Sequence, residues 1–196
     1  MKELLKASVR GVFLILASPL LLIYFLAGLL FRNSAHFYAW SEFISLLPGK
    51  FGAYFRYAFY RFTLQKIGLD TYIGFGVLFS HADTKLGSGV YLGPGCNIGK
   101  CTIGSDCLFG SAVHVLSGTK QHSFESLDVP VRDQGGEFTP INIGEDCWVG
   151  NGSIIMADVG DKCIIGAGSV VTKPVPDYSI VAGNPARVIS SRLPQD

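Results

Sequence analysis

The pattern of apolar and polar positions changes once along the chain, near residue 70. Gly11 to Phe31 reads GVFLILASPLLLIYFLAGLLF, without a charged residue. At helical rise this stretch measures about 32 Å, close to a hydrocarbon core of roughly 30 Å. It is a poor secretory signal, because Phe31, Arg32 and Asn33 follow where small residues should mark cleavage. Ser18-Pro19 interrupts the helical hydrogen bonding near its middle. Both flanks are basic, with Lys2, Lys6 and Arg10 before and Arg32, Lys50 and Arg56 after. The expectation is a bent, re-entrant membrane helix over 11–31 with both ends on the cytoplasmic side, in competition with a simple span.

Two amphipathic patterns follow over 34–66. Asn33-Ser34 offers a cap to a helix that aligns Phe37, Trp40, Ile44 and Leu47 before Pro48-Gly49 breaks it. Phe51, Tyr54, Phe55, Ala58, Phe59 and Phe62 then recur at helical spacings, with Arg56, Tyr57, Tyr60 and Arg61 off the stripe. An aromatic face flanked by arginines and tyrosines suits a helix at the lipid headgroups. Packing on the protein's own core is the alternative.

From residue 71 the period becomes six. LGPGCN, IGKCT, IGSDCL and FGSAVH run from Leu92, and IGEDCW, VGNGSI, IMAD, VGDKCI and IGAGSV resume after an insertion. Ile73 and Leu86, each followed by glycine, extend the pattern backwards. A short strand and a turn every six residues is neither a helix nor a series of hairpins. Three such strands per coil, stacked in parallel about 4.8 Å apart, make a prism with the leading aliphatic inside. The two runs account for roughly five coils.

Composition sharpens the division. Residues 1–70 hold eight basic and three acidic side chains, fifteen of 24 aromatics and no cysteine, whereas the rest holds eight basic and twelve acidic. The overall net charge of +1 gives no footprint for nucleic acid. Cys96, Cys107, Cys147 and Cys163 fall at the fifth position of their segments, beside Val113, Ser153 and Ser169 in the same column. They read as small core residues rather than metal ligands, and the odd count suits a reducing compartment.

The repeats resemble the hexapeptide-repeat acyltransferases, and the closing IGAGSVVTKPVPDYSIVAGNPARVI is similar to the C-terminal signature of the maltose, galactoside and polysaccharide O-acetyltransferase branch. The resemblance covers about residues 71–190 and leaves 1–70 uncovered. It implies a mainly β fold, a left-handed parallel β-helix, behind the N-terminal membrane-associating helices. It implies acetyl-CoA as donor, a sugar hydroxyl of a glycan or lipid-linked saccharide as acceptor, no metal, and a homotrimer with active sites between subunits.

Leu116 to Pro140 interrupts the period, and long loops in compact repeat proteins are commonly functional. Acyl transfer from a thioester needs a base for the attacking hydroxyl and donors for the oxyanion. The resemblance assigns the base to His122, ahead of the repeat containing Trp148, with a spacing about two residues longer than in the sugar acetyltransferases; His114 is the competitor. It places Trp148, Asn151 and Ala167 along the donor groove, and Thr172, Lys173 and Arg187 near the nucleotide phosphates. Lys173 and Arg187 are cations in an otherwise acidic half, as a phosphate-rich coenzyme requires. The expected function is a membrane-associated O-acetyltransferase on the cytoplasmic face of the cell membrane. The competing readings are an N-acyltransferase on a nucleotide-linked amino sugar, a non-catalytic scaffold, and a carbonic anhydrase-like metal site using His81, His114 and His122.

Overall fold

The computed structural model describes residues 2–31 and 34–194, with side chains from Lys6 onward. Arg32 and Asn33, including the expected Asn33 cap, lie outside the described residues. Three helices precede the solenoid: α1 (Lys2–Leu30), α2 (Ser34–Ser45) and α3 (Gly49–Thr63). Helix α1 continues through Pro19.

The remainder is a parallel β-solenoid of about six turns. One face stacks Lys66–Ile67, Lys85–Leu86, Cys101–Ile103 and Ile141–Ile143, then single bridges at Val159 and Val175. The second stacks Tyr72–Ile73, Tyr91–Leu92, Leu108–Phe109, Trp148–Val149, Ile164–Ile165 and Ser179–Gly183. The third stacks Leu78–Phe79, Asn97–Ile98, His114–Val115, Ile154–Ile155 and Val170–Val171. A last strand, Ala186–Ser191, turns back antiparallel on Ser179–Gly183. The first coil therefore begins at Lys66, ahead of residue 71, and the count exceeds the five coils of the uninterrupted runs.

The interior is built as the period requires. Ile73, Leu92, Phe109, Val149 and Ile165 form one fully buried column, and Phe79, Ile98, Val115, Ile155 and Val171 another. The four fifth-position cysteines and Ser153 do more than fit: each donates a hydrogen bond to the next coil. Cys96 Sγ donates to Gly110 O at 3.1 Å, Cys107 Sγ to Gly144 O at 3.0 Å and Cys163 Sγ to Pro176 O at 3.0 Å. Ser153 Oγ makes the same bond to Gly166 O, also at 3.0 Å. Thiol and hydroxyl are thus interchangeable in this column. Corner glycines serve the stacking too, since a Cβ on Gly104 would lie 2.6 Å from the backbone of the next coil.

Helices α2 and α3 close the first-coil end. Phe37, Ile44, Phe59 and Tyr60 join the buried core, and Ser41 Oγ accepts from Phe79 N at 2.8 Å. The orientation of α3 divides the predicted stripe. Ala58 and Phe59 are buried together with Arg56, Tyr57 and Tyr60 from beside it, whereas Phe51 and Phe62 at its ends are exposed. The cause is polar: the inward side of α3 meets unpaired carbonyls at the end of α2 and the rim of the first coil. Arg56 satisfies them, donating from Nε to Ile73 O at 2.9 Å and from Nη1 to Leu47 O at 2.5 Å.

Helix α1 forms an outermost layer across this platform. Ala17 and Leu21 are buried beneath it, while Ile15, Leu16, Leu22, Ile23, Leu26 and Leu29 face outward and are exposed. Both ends are tied to the same body. Arg10 Nη1 pairs with Asp70 Oδ1 at 2.8 Å, and the Tyr24 carbonyl lies 3.0 Å from His36 Nε2. Tyr24 also stacks on His36 with ring centroids 4.8 Å apart.

Candidate active site

The insertion after the third coil folds back on itself. Thr139 N donates to Ser117 O at 3.0 Å, Glu137 N to Lys120 O at 2.7 Å and Ser123 N to Gly135 O at 3.0 Å. The two legs of the loop are thereby zipped, and its base is tied to the second coil by Lys100 N donating to Ser117 Oγ at 2.8 Å. Gly136 crosses close against the backbone of Gln121 and His122, with no room for a Cβ. This ladder presents His122 exposed near the solenoid corner, where its ring has no hydrogen bond to any described residue. An exposed imidazole is within reach of a hydroxyl brought to it from solvent.

His114 stands on the outer side of the third face, in register between Asn97 and Ile154. A cavity of about 560 Å³ lies beside it under the loop, lined also by His81, Gln121 and Phe138 but not by His122. His81 is at the corresponding corner of the first coil. Its Nδ1 lies 2.9 Å from Ser80 Oγ, and its ring is 5.3 Å from that of Phe138. Burial pushes its pKa below the usual histidine value; Asp83 opposes this and Lys100 reinforces it. Asp83 and Lys100 pair with each other at 2.9 Å. Among the described residues, no three His, Cys, Asp or Glu side chains cluster as metal ligands would.

The expected donor-side residues separate into groups. Lys173 and Arg187 come together around a cavity of about 240 Å³ at the far coils. Thr172, exposed, immediately precedes Lys173. Lys173 follows the fifth strand of the third face, so it shares the loop's corner, two coils or about 10 Å further along. Asn151 and Ala167 occupy adjacent coils at the next corner, where Asn151 Oδ1 accepts from Ser111 N at 2.9 Å. That carboxamide acts as a clip between coils. Trp148 is 51% exposed on the second face, between Leu108 and Ile164. One chain thus divides His122 and Trp148 between a corner and a face that it does not itself bring together.

Phe138 and Gly136 have a place here that the sequence reading did not give them, and His81, read there only as a competing metal ligand, lines the cavity under the loop. Counting coils was the available signal for His81, since the register puts it at the corner from which the long loop later emerges.

The comparisons with known proteins agree with this architecture. The family model described as the hexapeptide repeat of succinyl-transferase matches residues 140–173. No curated protein sequence matches the chain. Among solved structures, the maltose O-acetyltransferase from Clostridium difficile 630 superposes with a TM-score of 0.68 at 23% identity, covering 82% of this chain and 89% of that one. A hexapeptide-repeat acetyltransferase from Vibrio cholerae O1 biovar eltor, complexed with acetyl coenzyme A, gives a TM-score of 0.62 at 24% identity, covering 71% and 77%. A galactoside acetyltransferase in complex with coenzyme A gives 0.59 at 22%, covering 81% and 82%. At these identities the likeness establishes the fold. The repeat match over residues 140–173 and the shared solenoid show that this chain is similar to the hexapeptide-repeat acetyltransferases and has their fold.

Proposed function

We propose that the protein is a membrane-associated acyltransferase that moves acetyl from acetyl-CoA to a sugar hydroxyl of a glycan or lipid-linked saccharide. The observation that carries this reading is the exposed imidazole of His122 on a zipped loop, on the same solenoid corner as the cation pair Lys173 and Arg187. The solved relatives holding acetyl coenzyme A or coenzyme A support the choice of donor.

His122 takes the proton of the acceptor hydroxyl as its oxygen attacks the thioester carbonyl. Collapse of the tetrahedral adduct breaks the carbon–sulfur bond, and the imidazolium returns the proton to the departing thiolate. The products are an acetyl ester and free coenzyme A. Lys173 and Arg187 hold coenzyme phosphates by charge. Trp148, Asn151, Ala167 and Thr172 form the donor groove with a neighbouring copy, because one chain does not bring them to His122. A cyclic homotrimer supplies that neighbour.

The layer order supports a particular membrane attachment. Helix α1 is tied to the body through Arg10 and through Tyr24, so it lies across the first-coil end rather than projecting from it. Its exposed aliphatic side enters one leaflet, with the solenoid standing in the cytoplasm where acetyl-CoA is made available. The basic residues beside it suit the cytoplasmic leaflet.

The test uses the full chain in detergent with acetyl-CoA and an envelope extract, acetyl ester formation being followed by mass spectrometry. His122→Ala is expected to lower turnover by about 10²–10⁴ while leaving acetyl-CoA binding unchanged. Full activity in His122→Ala, with activity lost in His114→Ala, overturns the assignment.

A further inference from the structure

Two cavities share a wall at the corner of the first coil. The cavity under the long loop, about 560 Å³, is bounded by Asn97, His114 and Gln121. The other, about 620 Å³, lies between the same corner and the C-terminal part of α1, bounded by Tyr24, Phe25, Gly28 and Leu29. Ser34, Ser80 and His81 line both. The two adjoin at these three residues and together make a groove from the apolar helix to the base of the loop that bears His122.

We propose that this groove holds the carrier side of the acceptor, a saccharide on an alkyl or polyprenyl chain, with the chain along α1 and the sugar passing His114 so that its reacting hydroxyl meets His122 outside the groove. The inference rests on the acyltransferase reading and specifies its acceptor. The two ends have opposite chemistry. A free sugar leaves the aromatic and aliphatic end wetted, and a plain lipid displaces water from Asn97 and His114 without replacing its hydrogen bonds. An amphiphile satisfies both. The apolar end adjoins Leu26 and Leu29, which are exposed, so a chain enters from the leaflet without crossing water. Gly28 lines the groove, and a Cβ added there would meet His36 Nε2 at 3.5 Å in ordinary contact, so a large side chain at this position extends into the groove.

The test is photolabelling of the full chain in phosphatidylcholine nanodiscs, with dodecyl maltoside carrying a diazirine at the end of its alkyl chain. Labelled residues are located by peptide mass spectrometry. The expected result is saturable labelling at 24–31, displaced by unlabelled dodecyl maltoside and unaffected by maltose. Gly28→Trp is expected to cut that labelling about tenfold without changing the labelling of Ile15 and Leu16 on the outward side. Ser80→Trp blocks the groove from the solenoid side and is expected to do the same, which keeps the test decisive where one variant misfolds. Labelling that does not saturate, or that persists in both folded variants, overturns the proposal. Acetyl-CoA binding is measured on the same samples. Its presence without groove labelling overturns the groove alone, and its absence with intact labelling overturns the acyltransferase reading.

Discussion

Replacing Arg56 by methionine tests how the helical platform is fixed to the solenoid. The guanidinium is fully buried and serves carbonyls from two separate elements. Nε reaches Ile73 O at 2.9 Å, Nη1 reaches Leu47 O at 2.5 Å and, more weakly, Ser45 O at 3.5 Å, while Nη2 has no partner. Bonds from a charged donor contribute about 1.5–3 kcal/mol each, so the two short ones amount to about 3–6 kcal/mol. Against this stands the cost of holding a cation away from water, which also lowers the pKa of Arg56. Methionine removes that cost and fills most of the volume, yet leaves the carbonyls of Leu47 and Ile73 unpaired. The net expectation is a loss of about 2–3 kcal/mol, or roughly 4–12 °C in Tm for a chain of this size. Arg56→Lys retains one donor and should lose about half as much. Thermal unfolding followed by near-ultraviolet circular dichroism in a fixed detergent provides the measurement. A methionine variant that melts with or above the wild type would show that the guanidinium is not what satisfies these carbonyls.

The His81 imidazole has a pKa held below its unfolded value, chiefly by burial, so its protonation is resisted in the fold. Its contribution to stability is complete above about pH 6.5 and declines as pH falls from there through the folded pKa. His81→Gln should flatten the fall in Tm between neutral and mildly acidic buffer; an unchanged slope would exclude His81 as its source. Cys163→Ser keeps a donor for Pro176 O and should change stability by under about 1 kcal/mol, whereas Cys163→Val strands that carbonyl at a cost of about 1–3 kcal/mol. Denaturant titration of both variants checks the order. Lys173→Ala combined with Arg187→Ala should raise the KM for acetyl-CoA about tenfold or more, with little change in kcat. Equal KM values at low salt would exclude the phosphate role.

The solenoid was legible because its constraint is local and repeats. Each branched residue from Leu92 onward that heads a segment is buried, and the cysteine column follows from counting alone. The start of the first coil carries the same signal, since Ile67-Gly68 stands six residues ahead of Ile73-Gly74. The orientation of α3 was hidden, by contrast. Both of its sides are aromatic, so periodicity finds the stripes without saying which one meets the core. What turns Arg56 inward is a set of carbonyls supplied by Leu47 and Ile73, and no pattern within α3 contains them. Residue type and resemblance single out His122, Lys173 and Arg187; the structure leaves His122 exposed on the loop and gathers Lys173 and Arg187 around one cavity. The groove at His81 was not legible, because it forms only where α1 returns to the first coil.

Stacking by whole coils makes the loop's height above the helices a counted quantity. The loop leaves the third coil, two steps of about 4.8 Å beyond the one that rests on the helices. Deleting one full turn beneath it would lower the imidazole by that step with little rotation. Smaller insertions are shunted sideways at a corner. The solenoid is in effect a ruler whose divisions set how far His122 stands from the helical platform.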